Sequence, residues 1–146
     1  MSRVSRRSTC PISSALDVLG DKWTLLVMRD MLLVGKQHYR EFLASEEGIA
    51  TNILADRLAR LDACGLVERT TDDPRSGKQA YRPTEKGRDL IPVLLELMSW
   101  SDQHDPGAVA QRSLVNAYRA DPSGVTAALR EAGSVAAYLA SSQNGT

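Results

Sequence analysis

The sequence predicts a mainly α-helical fold with one small β-hairpin, on three observations. Between Gly48 and Leu66, the residues Leu54, Leu58 and Leu61 recur at i, i+4 and i+7 and draw one apolar stripe along a helix. The stretch Lys22 to Leu33 carries Trp23, Leu25, Leu26, Val27, Met28, Met31 and Leu32 with few polar positions, as a helix covered on most sides requires. Leu66 to Thr71 reads as a strand. The turn formers Asp72, Asp73, Pro74, Ser76 and Gly77 follow, and then a second short strand through Ala80, Tyr81 and Arg82.

Taken in order, residues 1–9 are polar, basic and unpatterned, which predicts a flexible arm. Pro11 suits the first turn of a short helix through Ile12, Leu16 and Leu19, ended by Gly20. Asp21 caps the Lys22 helix. After the break at Gly35, His38 to Ala44 places Tyr39, Phe42 and Leu43 at i, i+3 and i+4, and Glu47 with Gly48 supplies a turn before the Leu54 helix. Two short helices joined by a glycine-containing turn make a helix-turn-helix. Gly65 closes the second helix as a left-handed cap, and the hairpin behind it is a wing. Thr84 and Glu85 then open a long helix carrying Leu90, Leu94, Leu97, Met98 and Trp100, which Pro92 should bend or loosen. Pro106 and Gly107 end it. Ala108 to Arg119 and Ser123 to Ala132 are helical in pattern, Ala136 to Leu139 adds a turn, and Ser141 to Thr146 should fray. The organisation is therefore a basic arm (1–9), a winged helix-turn-helix with flanking helices (10–104) and an alanine-rich helical extension (105–146). The extension lacks acid or base clusters, so packing against the domain or a partner subunit is its expected task.

At 146 residues the chain can bury one real core. Its 18 basic and 18 acidic residues cancel, so any nucleic-acid reading must rest on where charges sit. They sit unevenly: Arg3, Arg6 and Arg7 precede the first acid, Asp17, and acids outnumber bases beyond Ile91. Two cysteines are too few for a disulfide scaffold, and no apolar run nears the roughly 20 residues that span a bilayer. Arg6 and Arg7 are followed by Ser8, Thr9, Cys10 and Pro11 rather than an apolar stretch, which argues against twin-arginine export. A cytoplasmic protein is expected. His38 and His104 have no metal-ligand spacing, neither Gly35-Lys36 nor Gly77-Lys78 is a phosphate loop, and no enzyme, metal or cofactor is expected.

The outer face of the Gly48–Leu66 helix holds Asn52, Asp56, Ala59 and Arg60, small and hydrogen-bonding residues rather than long charged chains. A helix that enters a DNA groove needs such a face. Thr51, Asn52 and Asp56 suit base edges, and Arg57 and Arg60 suit phosphates, as do Arg75 and Lys78 at the wing tip. His38 and Arg40, at the start of the preceding helix, are further candidates for backbone contact. Any one of these charges is equally well explained by solvation; the set is not, although Asp56 also repels phosphate. Double-stranded DNA is the expected partner. Cys10 stands at a helix start near Arg6 and Arg7, where a thiolate is favoured; the plainer reading is a half-buried packing cysteine. Cys64 reads as a small packing residue.

Several strings resemble the HxlR family of winged helix-turn-helix regulators, relatives of the MarR type. They are Cys10-Pro11, the run Leu19 to Thr24, Arg57-Leu58 through Gly65-Leu66, and Thr84 to Gly87. The resemblance covers roughly Cys10 to Trp100 and implies a homodimer with the terminal helices at the interface, represented here by Ile12, Leu16, Leu94, Leu97, Met98 and Trp100. It implies a regulator, chiefly a repressor, on a palindromic operator, released by a redox signal at Cys10 or by a small-molecule effector. Many members carry serine at the place of Ala50 and lysine or arginine at that of Asn52. Affinity should therefore fall more heavily on Arg75, Lys78 and the arm. A neutral net charge also permits a second reading, a winged-helix interaction module without DNA binding.

Overall fold

The computed structural model describes residues 7–145; Arg3 and Arg6 of the basic arm and Thr146 of the tail lie outside them. Helix α1 (Pro11–Leu19) precedes α2 (Lys22–Arg29), whose end widens into a π-helical turn, Asp30–Val34. Helices α3 (Tyr39–Leu43) and α4 (Thr51–Ala63) form the helix-turn-helix. Strands β1 (Val67–Asp73) and β2 (Lys78–Pro83) pair antiparallel, from Val67 opposite Pro83 to Asp73 opposite Lys78. Then come α5 (Glu85–Arg88), α6 (Ile91–His104), α7 (Arg112–Ala120), α8 (Pro122–Ala132) and α9 (Val135–Gln143). The fold is a mainly helical winged helix-turn-helix, as the periodicities predict.

One apolar core holds these elements together. Leu54, Leu58 and Leu61 of α4 meet Val27, Met28 and Met31, with Phe42, Ile91 and Leu95 also fully covered. Removing any of these large side chains would cost about 2–5 kcal/mol. Leu114, Tyr118, Val125, Leu129 and Val135 join the same core, so α7 to α9 pack on the winged helix. The Tyr118 hydroxyl donates to Glu96 Oε1 at 2.7 Å, and Arg119 reaches Asp102 and the Ser99 carbonyl.

Five expectations need correction. The Gly48–Leu66 helix is shorter, Thr51–Ala63. The Lys22–Leu33 helix loses its α pitch at Asp30, where the π-turn sets a buried carboxylate against Arg29, Lys36 and Ser45. The long helix after Thr84 is two helices: Pro92 has no N–H to bond backward, so it occupies the first turn of a new helix rather than bending an old one. The tail is helical to Gln143 instead of fraying at Ser141, because Ser134 caps α9 and the Ser141 and Ser142 hydroxyls donate to the Tyr138 carbonyl. The helix expected from Ala108 begins at Arg112, after the left-handed Gln111 (φ 60°).

Candidate nucleic-acid interface

Helix α4 is fixed at both ends, which is what a reading element needs. Its N-terminus has no side-chain cap, since Ala50 offers no acceptor, but the Tyr39 hydroxyl donates to the Thr51 carbonyl at 2.6 Å. At its C-terminus Gly65 takes a left-handed φ of 76°, so that Leu66 N–H bonds back to the Leu61 carbonyl at 2.9 Å. The Thr84 hydroxyl donates to the Gly65 carbonyl at 2.5 Å and Lys86 Nζ to the Cys64 carbonyl at 2.7 Å. These two side chains, from α5 and its cap, satisfy carbonyls that the helix end leaves free. Gly87 permits this packing, because a Cβ there would lie 2.1 Å from the Leu66 carbonyl oxygen.

The outward side of α4 presents Thr51, Asn52, Ala55, Asp56, Ala59 and Arg60, all exposed. Alanine at 55 and 59 leaves the backbone approachable. Arg57 does not belong to this face: its side chain is 19% exposed, and its Nε donates to Asp21 Oδ1 at 3.0 Å. Asp21 is also the cap of α2, accepting from Trp23 and Thr24 N–H and from the Thr24 hydroxyl at 2.7 Å. Burial alone would raise the Asp21 carboxyl, but the bonds from Thr24 and Arg57 prevail and hold it at about 2. Arg57 therefore ties α4 to α2, and its expected phosphate contact gives way to this positioning role. Its other nitrogen pairs with Asp56 at 2.5 Å, while Arg60 stands 3.9 Å from the same carboxylate. Asp56 is thus largely neutralised by its own helix, which lessens its repulsion of phosphate.

The wing lies close beside. Tyr81 N–H donates to the Gln37 carbonyl at 2.7 Å, fastening β2 to the segment before α3. Asp73 accepts from Arg75 N–H and the Ser76 hydroxyl and so shapes the turn, with Gly77 at φ 71°. Arg75 and Lys78 are exposed, and neither side chain enters an ion pair among the described residues. Arg40 is exposed too. His38 is not free, since both its ring nitrogens face carboxylates, Glu41 and Asp72. Asp72 also pairs with Arg82, a wing residue that no local pattern in the sequence marks as engaged.

An α4 held at both ends beside a cationic wing is the architecture of a DNA-reading domain, and the sequence profile of the HxlR-like helix-turn-helix family matches residues 18–108. The chain belongs to this family. An uncharacterized HTH-type transcriptional regulator of Mycobacterium tuberculosis is 35% identical over 95 residues, which cover 65% of this chain and 59% of that protein. The chain thus spans less than two thirds of that relative's length. The HTH-type transcriptional regulator YodB of Bacillus subtilis is 34% identical over 100 residues, 67% of this chain and 88% of YodB. Reduced YodB superposes with a TM-score of 0.54 at 32% identity over 67% of this chain and 96% of its own, and YodB has also been solved bound to quinone. The reduced form of the redox regulator HypR gives a TM-score of 0.59 at 32% identity, covering 64% of this chain and 92% of HypR. Family and relatives are transcriptional regulators, not enzymes.

Of the six expected HxlR interface residues, Ile12, Leu16, Leu97 and Trp100 are exposed, at 71%, 53%, 47% and 65%, and Met98 is half-buried. Leu94 is a correction. It turns into the chain's own core with Ile91 and Leu95, and Val93 stands on the outer face instead. Cys10 is exposed at the N-cap of α1, but Arg7 pairs with Asp17 rather than approaching the thiol. Cys64 is exposed as well, not packed. No helix among the described residues is long and apolar enough to cross a membrane.

Proposed function

We propose that this HxlR-type chain is a cytoplasmic, homodimeric, sequence-specific DNA-binding regulator, acting as a repressor. One observation carries the reading: α4 exposes a face of small and hydrogen-bonding residues beside a wing tip whose Arg75 and Lys78 are unpaired among the described residues. A major groove accepts such a helix, and the wing cations neutralise adjacent phosphates. The exposed apolar side chains Ile12, Leu16, Leu97 and Trp100 support pairing with a second copy. Two copies would set two α4 helices on a palindrome, in major grooves about 34–36 Å apart.

Release is proposed to run through Cys10, which is exposed at a helix start. YodB has been solved with quinone bound, and the same chemical class suits an exposed thiol here. The Cys10 sulfur adds to a ring carbon as the conjugated C=C bond opens; the thiol proton and the hydrogen of the attacked carbon pass, by way of solvent, to the two ring oxygens, leaving a hydroquinone thioether with no outside oxidant. A cavity of about 960 Å³ between α2 and α6, lined by Leu25, Leu26, Leu33, Leu94, Met98 and Val109, favours a second route, a noncovalent apolar effector.

The test is a gel shift with the protein's upstream intergenic DNA, repeated after benzoquinone on wild type and Cys10→Ser. The reading expects a complex of two chains per site, with release from wild type alone. A folded dimer that gives no shift at low salt would favour the interaction-module reading. Equal release from both proteins would exclude Cys10 as the trigger, leaving the exposed Cys64 thiol or the cavity.

A further inference from the structure

His38 stands at the junction of the helix-turn-helix and the wing, at the start of α3. Its Nδ1 lies 2.8 Å from Glu41 Oε1 and its Nε2 lies 2.8 Å from Asp72 Oδ2, on strand β1. Glu41 Oε1 also accepts from Gln37 N–H at 3.2 Å and His38 N–H at 3.0 Å, so that oxygen is committed as an acceptor. An ionised carboxylate can only accept, and a neutral imidazole has a single N–H. Satisfying both contacts requires both ring nitrogens to donate, which only the imidazolium does.

We propose that His38 is a positioning residue for DNA binding: as an imidazolium held between Glu41 and Asp72 it latches the wing to the helix-turn-helix, and loss of its proton loosens the wing. The inference rests on the reading that the wing contacts DNA. Every charged group set against the ring takes part. Glu41 comes from α3, Asp72 from β1, and Lys78 and Arg82 from β2; Arg82 holds Asp72 at 3.3 Å and Lys78 opposes the imidazolium. The bonds to Asp72 and then Glu41 raise the ring above the ordinary histidine value of about 6.5, and the bond to His38 leads in lowering Asp72. The sign follows from these directions. The latch is complete between the lowered carboxylate range and the raised histidine value, and it is lost as pH climbs through the latter.

Deprotonation has two consequences for DNA. A neutral ring can keep only one of its two contacts, so the bridge from Glu41 to Asp72 is broken; the wing is left to its backbone bond from Tyr81 N–H to the Gln37 carbonyl, which opens more readily, and Arg75 and Lys78 are held less firmly. The junction also becomes one charge more negative beside the phosphates.

The test titrates the assigned His38 ring of the full chain by NMR, follows Tyr81 amide exchange, and measures affinity for the upstream duplex at fixed ionic strength from pH 6 to 8.5. The expected result is a His38 ring that titrates above the ordinary value, Tyr81 exchange that speeds beyond the intrinsic pH effect across that titration, and an affinity that falls several-fold over the same range. His38→Gln, which cannot gain a proton, should give a flat affinity profile at the weaker level, and Asp72→Asn should return the ring toward its ordinary value. A ring that titrates at or below about 6.5, or a His38→Gln profile that follows wild type, overturns the proposal. If the ring and Tyr81 respond as expected while no duplex binds at any pH, the latch stands and the DNA-binding reading fails.

Discussion

Replacing Arg75 and Lys78 together by alanine is expected to weaken binding to operator and random duplex alike, on the order of a hundredfold at low salt. Both side chains are exposed and enter no ion pair among the described residues, so their charge is available to phosphate and is not used to hold the fold. Each phosphate contact contributes about 0.9 to the slope of log affinity against log salt, so two lost contacts lower its magnitude by roughly 1.8 per chain. Thermal stability should stay within about 0.5 kcal/mol, because the turn itself is held by Asp73 and Ser76. A titration series across salt checks this, and an unchanged slope would remove the wing from the interface.

Asn52→Ala should act differently, reducing discrimination while leaving random binding nearly intact. Asn52 is exposed in the first turn of α4, and an amide can pair with both N6 and N7 of adenine. Such a pair is worth about 1–3 kcal/mol of discrimination, roughly 5- to 150-fold at each half-site. Alanine is the better helix former, so no loss of stability should confuse the result. Competition of operator against random duplex separates the cases: an equal fall in both affinities would make Asn52 a phosphate contact. The contrast between the two variants divides the labour of the site, with affinity on the wing and selectivity on α4.

The parts of this site that follow local rules were legible in the sequence. The stripe Leu54, Leu58 and Leu61 gave the buried side of α4, Asp21 read as a cap, Gly65 as a left-handed stop, and the turn formers from Asp72 to Gly77 as the wing tip. What escaped are the ties between elements far apart in sequence. Arg57 finds Asp21 across 36 residues and His38 finds Asp72 across 34, and nothing in either neighbourhood announces the other. Reading each cation by its own surroundings therefore assigned Arg57 and His38 to DNA, when the fold sets them between elements. Leu94 was misplaced for a related reason. The α6 pattern marks apolar positions, but the same spacing serves a core face and a subunit face, and the packing of α7 and α8 on α6 decides between them.

The central claim is that paired α4 helices read successive major grooves. Hydroxyl-radical footprinting with methylation interference on the bound upstream duplex tests it most directly. The account predicts two symmetric protected patches centred about 34–36 Å apart, with interference at guanine N7 positions, which face the major groove, inside each half-site. A single protected patch, or protection without major-groove interference, would contradict it.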